Sequence, residues 1–220
     1  MSNENQSLTE PLALFGGTFD PVHYGHLRCA DEARQKLNLD KLYLLPAGIP
    51  PHRNMPHANA QQRLEMLRLA QLEFPQLDID DRETRRTGPS YMVDTLQELR
   101  TESPQRPLLL LIGQDAANHL HSWHHWEQLF DLCHLVILTR PAAKAEYRHD
   151  VTKQMLRRTS PDVQALLQSE AGGVLNLEVA SIDISATTIK SIIRLGRSPD
   201  SMLPAAILDY INENQLYFPA

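Results

Sequence analysis

Two histidines follow a glycine-rich turn near the amino end of this 220-residue chain. Residues 13–26 read Ala-Leu-Phe-Gly-Gly-Thr-Phe-Asp-Pro-Val-His-Tyr-Gly-His. Glycines leave room for a ligand beside the backbone, and the first turn of a helix offers unpaired N–H groups and partial positive charge that favour phosphate. His23 and His26 lie at helical positions i and i+3, so both imidazoles can face one ligand. The stretch predicts a polyphosphate site.

The two most familiar phosphate-binding loops do not match this stretch. A dinucleotide-binding Gly-x-Gly-x-x-Gly needs glycines in the region held by Thr18, Phe19 and Asp20. A Gly-Lys-Ser/Thr P-loop occurs nowhere in the chain. The plain alternative is a strand-to-helix turn with incidental histidines. Polar residues at the carboxyl end of a strand favour the functional interpretation.

The elements that must position these residues alternate between strand and helix. Short segments rich in apolar residues, three of them stopped directly by glycine or proline, predict strands at 12–15, 41–45, 77–80, 108–112, 134–139 and 174–179. Apolar residues at helical spacing predict helices at about 25–37, 59–74, 91–100, 187–195 and 203–214, with Ser90 as the N-cap of the third. This alternation predicts an α/β, Rossmann-like doubly wound parallel sheet. We expect a single domain, residues 1–220, with residues 1–10 a flexible lead-in and the carboxyl-terminal helices completing the site.

Polar residues follow the other predicted strands at their carboxyl ends, where such sheets bind ligands. The proline-rich stretch 46–56 predicts a stiff loop that carries His52 and Arg53. Asp115 follows the fourth strand, where its carboxylate could accept from ribose hydroxyls or cap a helix. Arg140 follows the fifth strand, and Lys190 lies one turn into a helix that begins after Ser185. Ordinary surface charge is the alternative for the loop cations.

A histidine-rich segment, residues 119–125, reads His-Leu-His-Ser-Trp-His-His. Four histidines could suggest zinc, but the segment has neither a cysteine nor a strict metal-ligand spacing. We favour a surface loop in which Trp123 offers a flat stacking surface, and we expect no metal ligands from the protein.

Bulk composition excludes several classes of protein. The net charge of −6 argues against nucleic-acid binding driven by basic charge. No run of 18 apolar residues is present, so we expect no membrane contact, and the amino end lacks the apolar core of a signal peptide. Cys29 and Cys133 lie in apolar-periodic contexts, which predicts buried, reduced thiols. These features together predict a cytoplasmic enzyme.

The chemistry-bearing blocks resemble, in order, those of the nucleotidyltransferase superfamily with a His/Thr-x-Gly-His motif. The closer resemblance is to the bacterial nicotinate-nucleotide adenylyltransferases. Besides residues 13–26, it rests on residues 46–53, 88–91, 112–115 with Trp123, and 184–187. The resemblance implies adenylyl transfer from ATP to nicotinate mononucleotide, giving deamido-NAD and pyrophosphate by direct in-line attack without a covalent intermediate.

The resemblance and the residue chemistry together assign three groups of residues. The catalytic group is His23, His26 and Lys190. The ATP-binding group is Gly16, Gly17, Thr18, Phe19, His23, His26, Arg53, Gly113, Asp115, Ile184, Ser185 and Thr187. The nicotinate mononucleotide-binding group is Thr18, Ser90, Tyr91, Met92, Trp123, His124 and Arg140. Mg²⁺ is expected to arrive on the phosphates of ATP, in a monomer or small homo-oligomer.

Two positions depart from the family pattern. Lys190 stands in the usual arginine place, which keeps the charge but loses the bidentate fork, and Met92 stands where threonine is usual. A related adenylyltransferase for nicotinamide mononucleotide or phosphopantetheine is the first alternative. A non-catalytic nucleotide-sensing module and a zinc hydrolase built on residues 119–125 are the others.

Overall fold

The fold is an open parallel sheet with helices on both faces. The computed structural model describes residues 10–50, 55–141 and 144–219. Within them, six strands form one sheet in the order β3-β2-β1-β4-β5-β6, and each neighbouring pair is parallel. The strands are β1 (Leu12–Gly17), β2 (Leu42–Pro46), β3 (Leu77–Ile79), β4 (Leu108–Gly113), β5 (His134–Thr139) and β6 (Val174–Glu178). The predicted α/β, Rossmann-like class is confirmed.

Helices connect successive strands and also follow the last one. The described helices are α1 (Tyr24–Lys36), α2 (Ala60–Gln71), α3 (Arg82–Arg85), α4 (Met92–Glu102), α5 (Gln114–Asn118), α6 (Leu129–Leu132), α7 (His149–Arg158), α8 (Val163–Leu166), α9 (Ala186–Arg194) and α10 (Ala205–Glu213). Residues 119–125, predicted as a surface loop, include a 3₁₀ turn at Leu120–Ser122, and a second one follows at Trp126–Gln128. No described helix is long and apolar enough to cross a membrane.

The two faces of the sheet bury two separate apolar layers. Along β4, Leu109 and Leu111 pack into the layer that holds α1, α2, α9 and α10. Leu108 and Leu110, on the opposite face, pack into the layer that holds α4, α6 and α7. A parallel strand covered on both faces needs apolar side chains at every position, and this explains the continuous leucine run of β4. The carboxyl-terminal helices therefore belong to the α1 face of the sheet.

The turn before α4 differs from the prediction. α4 begins at Met92 with Tyr91 as its N-cap, so the prediction that Ser90 caps it was wrong. The Ser90 hydroxyl instead accepts hydrogen bonds from the backbone N–H groups of Gly48 and Ile49, at 2.9 and 3.3 Å. Those groups lie in the proline-rich loop after β2, where Ile49 also forms an isolated parallel bridge with Pro89. The hydroxyl is therefore used to tie two loops together rather than to start a helix.

Both cysteines are buried and free, as predicted. Burial raises the pKa of Cys29 to about 11 and also raises the pKa of Cys133. Thiols that stay protonated are poor nucleophiles, so neither cysteine is a candidate for covalent catalysis.

Candidate active site

A cleft of about 440 Å³ opens at the carboxyl edge of the sheet, where the strand order reverses between β1 and β4. Ligands of doubly wound folds bind at this point because the adjacent loops diverge there. The cleft gathers loops that are far apart in sequence. Its lining includes Gly16, Gly17, Thr18, Ala47, Glu83, Ser90, Tyr91, Met92, Gly113, Asp115, Trp123 and His124.

One end of the cleft, at Gly17 and Thr18, leads into the His-x-Gly-His turn. We call His23, His26, Asp20 and Lys190 the phosphate end; these four residues lie next to the cleft and are not among the described residues that line it. His23 is the N-cap of α1, with extended backbone. The His23 and His26 rings stack with centroids 3.7 Å apart, so they share one side, as their spacing predicts. Gly25 permits this arrangement, because a Cβ there would lie 2.9 Å from the His23 ring and 3.1 Å from the Ile184 carbonyl oxygen.

His23 is only 4% exposed. Burial, with a smaller contribution from the Arg140 charge, lowers the pKa of His23 to about 4. At pH 7 the ring is therefore a neutral imidazole, which offers one N–H donor and one acceptor. Its Nδ1 atom is buried without a hydrogen-bond partner in the part of the chain that the structure describes. A neutral donor at this position can bind phosphate oxygen without itself carrying charge.

Lys190 reaches the phosphate end from α9. Its Nζ atom lies 3.0 Å from Oδ2 of Asp20, a carboxylate that is 6% exposed. α9 is oriented at its start by Ser185, whose hydroxyl accepts from the backbone N–H of Thr188 at 3.1 Å. The segment just before this cap approaches the first turn of α1, since a Cβ on Gly25 would lie 3.1 Å from the Ile184 carbonyl oxygen. These contacts bring Lys190, from a late helix of the chain, beside the loop between β1 and α1.

The other end of the cleft is aromatic and more open; we call Tyr91, Trp123 and His124 the aromatic end. The Tyr91 and His124 rings lie 4.2 Å apart at 31°, and Trp123 is half-buried. Met92 closes the floor between the two ends, since its terminal methyl lies 3.1 Å from the position of a Cβ on Gly16. A flat apolar surface with polar edges suits a planar heteroaromatic ring.

Asp115 lies on the cleft wall in the first turn of α5, while Gly113 is the N-cap. The helix-capping alternative for the Asp115 side chain therefore does not describe this helix. The Asp115 carboxylate is exposed and remains free to accept from a ligand hydroxyl.

Glu83, which the sequence analysis missed, lies against the wall of the cleft. The side chain is 3% exposed and accepts a hydrogen bond from the Thr95 hydroxyl at 2.7 Å. Burial raises the pKa of its carboxyl group. In the sequence it belongs to the charged stretch 82–86, which reads as solvent-facing. Nothing in that pattern distinguishes the buried carboxylate of Glu83 from the half-buried or exposed side chains around it.

Comparison with known proteins agrees with this geometry. A family model described as cytidylyltransferase-like matches residues 14–192. A "probable nicotinate-nucleotide adenylyltransferase" of Acidithiobacillus ferrooxidans is 44% identical over 214 residues, covering 97% of this chain and 98% of the relative. A relative of the same description from Methylococcus capsulatus is 44% identical over 207 residues, covering 94% of this chain and 99% of the relative. The chain belongs to the nicotinate-nucleotide adenylyltransferase family.

The fold of the family is also found in a solved structure. The nicotinic acid mononucleotide adenylyltransferase of Plasmodium falciparum, complexed with NaAD, superposes with a TM-score of 0.73 at 15% identity. The match covers 94% of this chain and 97% of that one. At this identity the likeness concerns the fold, and it confirms the doubly wound architecture at nearly full length.

The structure brings most residues predicted for the site to the cleft or the phosphate end. Arg53 lies outside the described residues. Arg140 is exposed and is not among the described residues that line the cleft. Its charge acts instead on His23 and Cys29. The assignment of Arg140 to the nicotinate mononucleotide group therefore stays a prediction, and its position favours the phosphate end.

The histidine-rich segment is organised around backbone contacts. The His119 ring nitrogen Nδ1 lies 2.9 Å from the Asp115 carbonyl oxygen. Among the residues that the structure describes, no group of three or more histidine, cysteine or acidic side chains is arranged to hold a metal ion.

Proposed function

We propose that the chain transfers the adenylyl group of ATP to nicotinate mononucleotide and releases pyrophosphate, as a step of NAD biosynthesis. The observation that carries the proposal is a cleft that has an aromatic surface and whose glycine-rich wall, Gly16 to Thr18, leads directly into a turn with a stacked histidine pair, in a chain of this family. Phosphates and a pyridine ring are the two features that the reacting molecules present.

ATP would occupy the phosphate end and the adjoining wall. Gly16, Gly17 and Thr18 allow its phosphates to approach the backbone of the first loop. The adenosine would extend toward Gly113 and residues 184–187, with Asp115 accepting from ribose hydroxyls. Placing the triphosphate at the amino end of α1 also uses the partial positive charge of that helix end.

Nicotinate mononucleotide would occupy the aromatic end. Trp123 would stack on the pyridine ring, and backbone N–H groups near Met92 and His124 would bind the nicotinate carboxylate. The Ser90 hydroxyl already holds the loop after β2, so its contribution would be to fix the pocket wall. An aromatic surface with backbone donors at its edge suits an anionic heteroaromatic ring.

The reaction would be a direct in-line displacement at the α-phosphorus of ATP. The 5′-phosphate of the mononucleotide is already an anion, so it needs no general base. An oxygen of this phosphate forms the new P–O bond as the bond to pyrophosphate breaks. Catalysis then rests on positioning and charge stabilisation: His23, His26 and Lys190 would stabilise the leaving pyrophosphate.

Mg²⁺ would be bound by the phosphates of ATP and by water, and would neutralise part of their charge. The side chains at the phosphate end support this arrangement, because Mg²⁺ prefers oxygen ligands. His23 and His26 offer nitrogen, and the Asp20 oxygens already accept hydrogen bonds from Lys190, Tyr217 and two backbone N–H groups.

The test is pyrophosphate release by the purified protein with ATP and Mg²⁺. Nicotinate mononucleotide, nicotinamide mononucleotide and 4′-phosphopantetheine would be compared at equal concentration. Faster release with the acid than with the amide supports both the reaction and the carboxylate contacts. Equal rates would keep the reaction and contradict those contacts. Release only with phosphopantetheine, or none with any of the three, would overturn the proposal.

A further inference from the structure

The buried carboxylate of Asp20, in the loop between β1 and α1, accepts four hydrogen bonds from three segments of the chain. Oδ2 of Asp20 accepts from the backbone N–H of His57 at 3.1 Å and from Lys190 at 3.0 Å. Oδ1 accepts from the backbone N–H of Ala58 at 3.0 Å and from the Tyr217 hydroxyl at 2.8 Å. Burial alone raises the pKa of Asp20, but these four hydrogen bonds outweigh it and hold the pKa below the ordinary value.

Tyr217 is the most distant of these donors, 197 positions from Asp20 in sequence. It lies beyond the end of α10, is 5% exposed and has a φ of 68°, a left-handed conformation that non-glycine residues seldom adopt. Its ring centroid lies 5.8 Å from Nζ of Lys190, within the range of a cation–π contact. Tyr217 thus contacts both members of the Asp20–Lys190 pair.

Charge balance does not require Lys190 beside Asp20. Arg63 is 1% exposed, and burial lowers the pKa of its guanidinium. The charge of the nearby Asp20 carboxylate opposes this lowering. Arg63 also donates to the Thr18 and Gly48 carbonyl oxygens, at 2.8 and 2.9 Å. A cation therefore remains near Asp20 when Lys190 is removed, so loss of Lys190 does not leave the buried carboxylate without a counter-charge.

We propose that Tyr217 and Asp20 are positioning residues for Lys190, so that the segment after α10 sets the location of the ammonium group at the phosphate end. The Tyr217 hydroxyl fixes Oδ1 and thereby turns Oδ2 toward Lys190. The Tyr217 ring borders the ammonium on a second side. This inference rests on the proposed function, in which Lys190 acts on the phosphates of ATP.

The test is a double-mutant cycle between Tyr217→Phe and Lys190→Ala, measured both on turnover and on ATP affinity by calorimetry without the second substrate. Tyr217→Phe keeps the ring and removes only the hydroxyl. Tyr210→Phe, in α10 and outside the Asp20 contacts, is the matched control. Thermal unfolding of each variant reports whether it is folded.

We expect Lys190→Ala to lower kcat and to weaken ATP binding about tenfold, and Tyr217→Phe to do the same by a smaller factor. In the Lys190→Ala background, Tyr217→Phe should change either quantity less than twofold, because the effect passes through the missing ammonium. The KM for the mononucleotide and the properties of Tyr210→Phe should stay near wild type.

If Tyr217→Phe changed turnover and ATP affinity by the same factor with and without Lys190, the inference would be overturned, since the hydroxyl would then act without the ammonium group. An unchanged Tyr217→Phe variant would overturn it as well. Should Tyr217→Phe not fold, Asp20→Asn replaces it in the same cycle and is judged by the same criterion. ATP binding without turnover in wild type would overturn the proposed function, while the affinity cycle would still decide the inference. Absence of ATP binding would overturn both.

Discussion

The phosphate end and the aromatic end of the cleft are built in different ways. At the phosphate end, His23 and Asp20 are buried, and their neighbours come from segments up to 197 positions away in sequence. At the aromatic end, Trp123 is half-buried and His124 exposed, and the ring contacts of His124 are to Tyr91 and to the adjacent His125. The first is a buried network of side chains; the second is an open surface.

This difference indicates that the two ends have different roles in the reaction. A buried network fixes donors and charges in advance, which is what stabilisation of a developing charge requires. An open aromatic surface contributes contact area and accepts a ligand from solvent without rearranging its surroundings. Changes at the phosphate end should therefore act on kcat, and changes at the aromatic end on the KM for the mononucleotide.

The largest expected effect comes from His23→Ala at the phosphate end. Loss of the imidazole donor should lower kcat about 10²–10³-fold, the usual cost of removing one pre-positioned donor, while the KM for the mononucleotide changes little. His23→Asn, which keeps an N–H donor, should recover part of the loss. Steady-state pyrophosphate release measures both constants. A raised KM at unchanged kcat would contradict the division between the two ends.

Trp123→Ala should show the opposite pattern. Loss of a stacking partner should raise the KM for nicotinate mononucleotide roughly tenfold, within the range measured for base stacking on aromatic side chains, and leave kcat within a few-fold. Trp123→Phe should lie between alanine and wild type. Steady-state pyrophosphate release measures both constants for each variant. A fall in kcat with no change in KM would contradict the stacking role of Trp123.

Thr95→Val extends the comparison to Glu83, the buried carboxylate near the aromatic end, because it removes the hydroxyl that donates to Glu83. Without the Thr95 hydroxyl, Glu83 loses a short hydrogen bond, and we expect the free energy of unfolding to fall by about 1–3 kcal/mol. Glu83→Gln should cost less, since burial already disfavours the charged carboxyl. Urea unfolding of both variants measures the difference; equal losses would refute the explanation.

The smallest expected effect concerns pH. Because burial lowers the pKa of His23 to about 4, the unfolded chain takes up a proton near pH 6.5 before the folded chain does. This contribution to stability is present above pH 6.5 and is lost as pH falls toward 4, by on the order of 1–2 kcal/mol at pH 5. Urea midpoints of wild type and His23→Gln at pH 7 and pH 5 measure it. A wild-type pH dependence that His23→Gln reproduces would contradict this origin.

Much of the fold follows from local pattern. The apolar runs of β1, β4 and β5 and the glycine or polar residue after each predicted a parallel sheet whose loops meet at one edge. The i, i+3 spacing of His23 and His26 predicted rings on one side of α1, because helical geometry within one turn leaves little freedom.

The sequence alone therefore determined the class of fold, the family and the edge of the sheet at which the cleft lies, since each depends on residues close together along the chain. Only the tertiary structure decided that Asp20 joins Lys190 to Tyr217, that Glu83 points inward and that the Ser90 hydroxyl holds a loop instead of capping α4. These outcomes depend on which polar groups lose water together on folding. Segments 170 or 197 positions apart meet only when the helices after β6 pack on the sheet, and no spacing in the sequence records that contact.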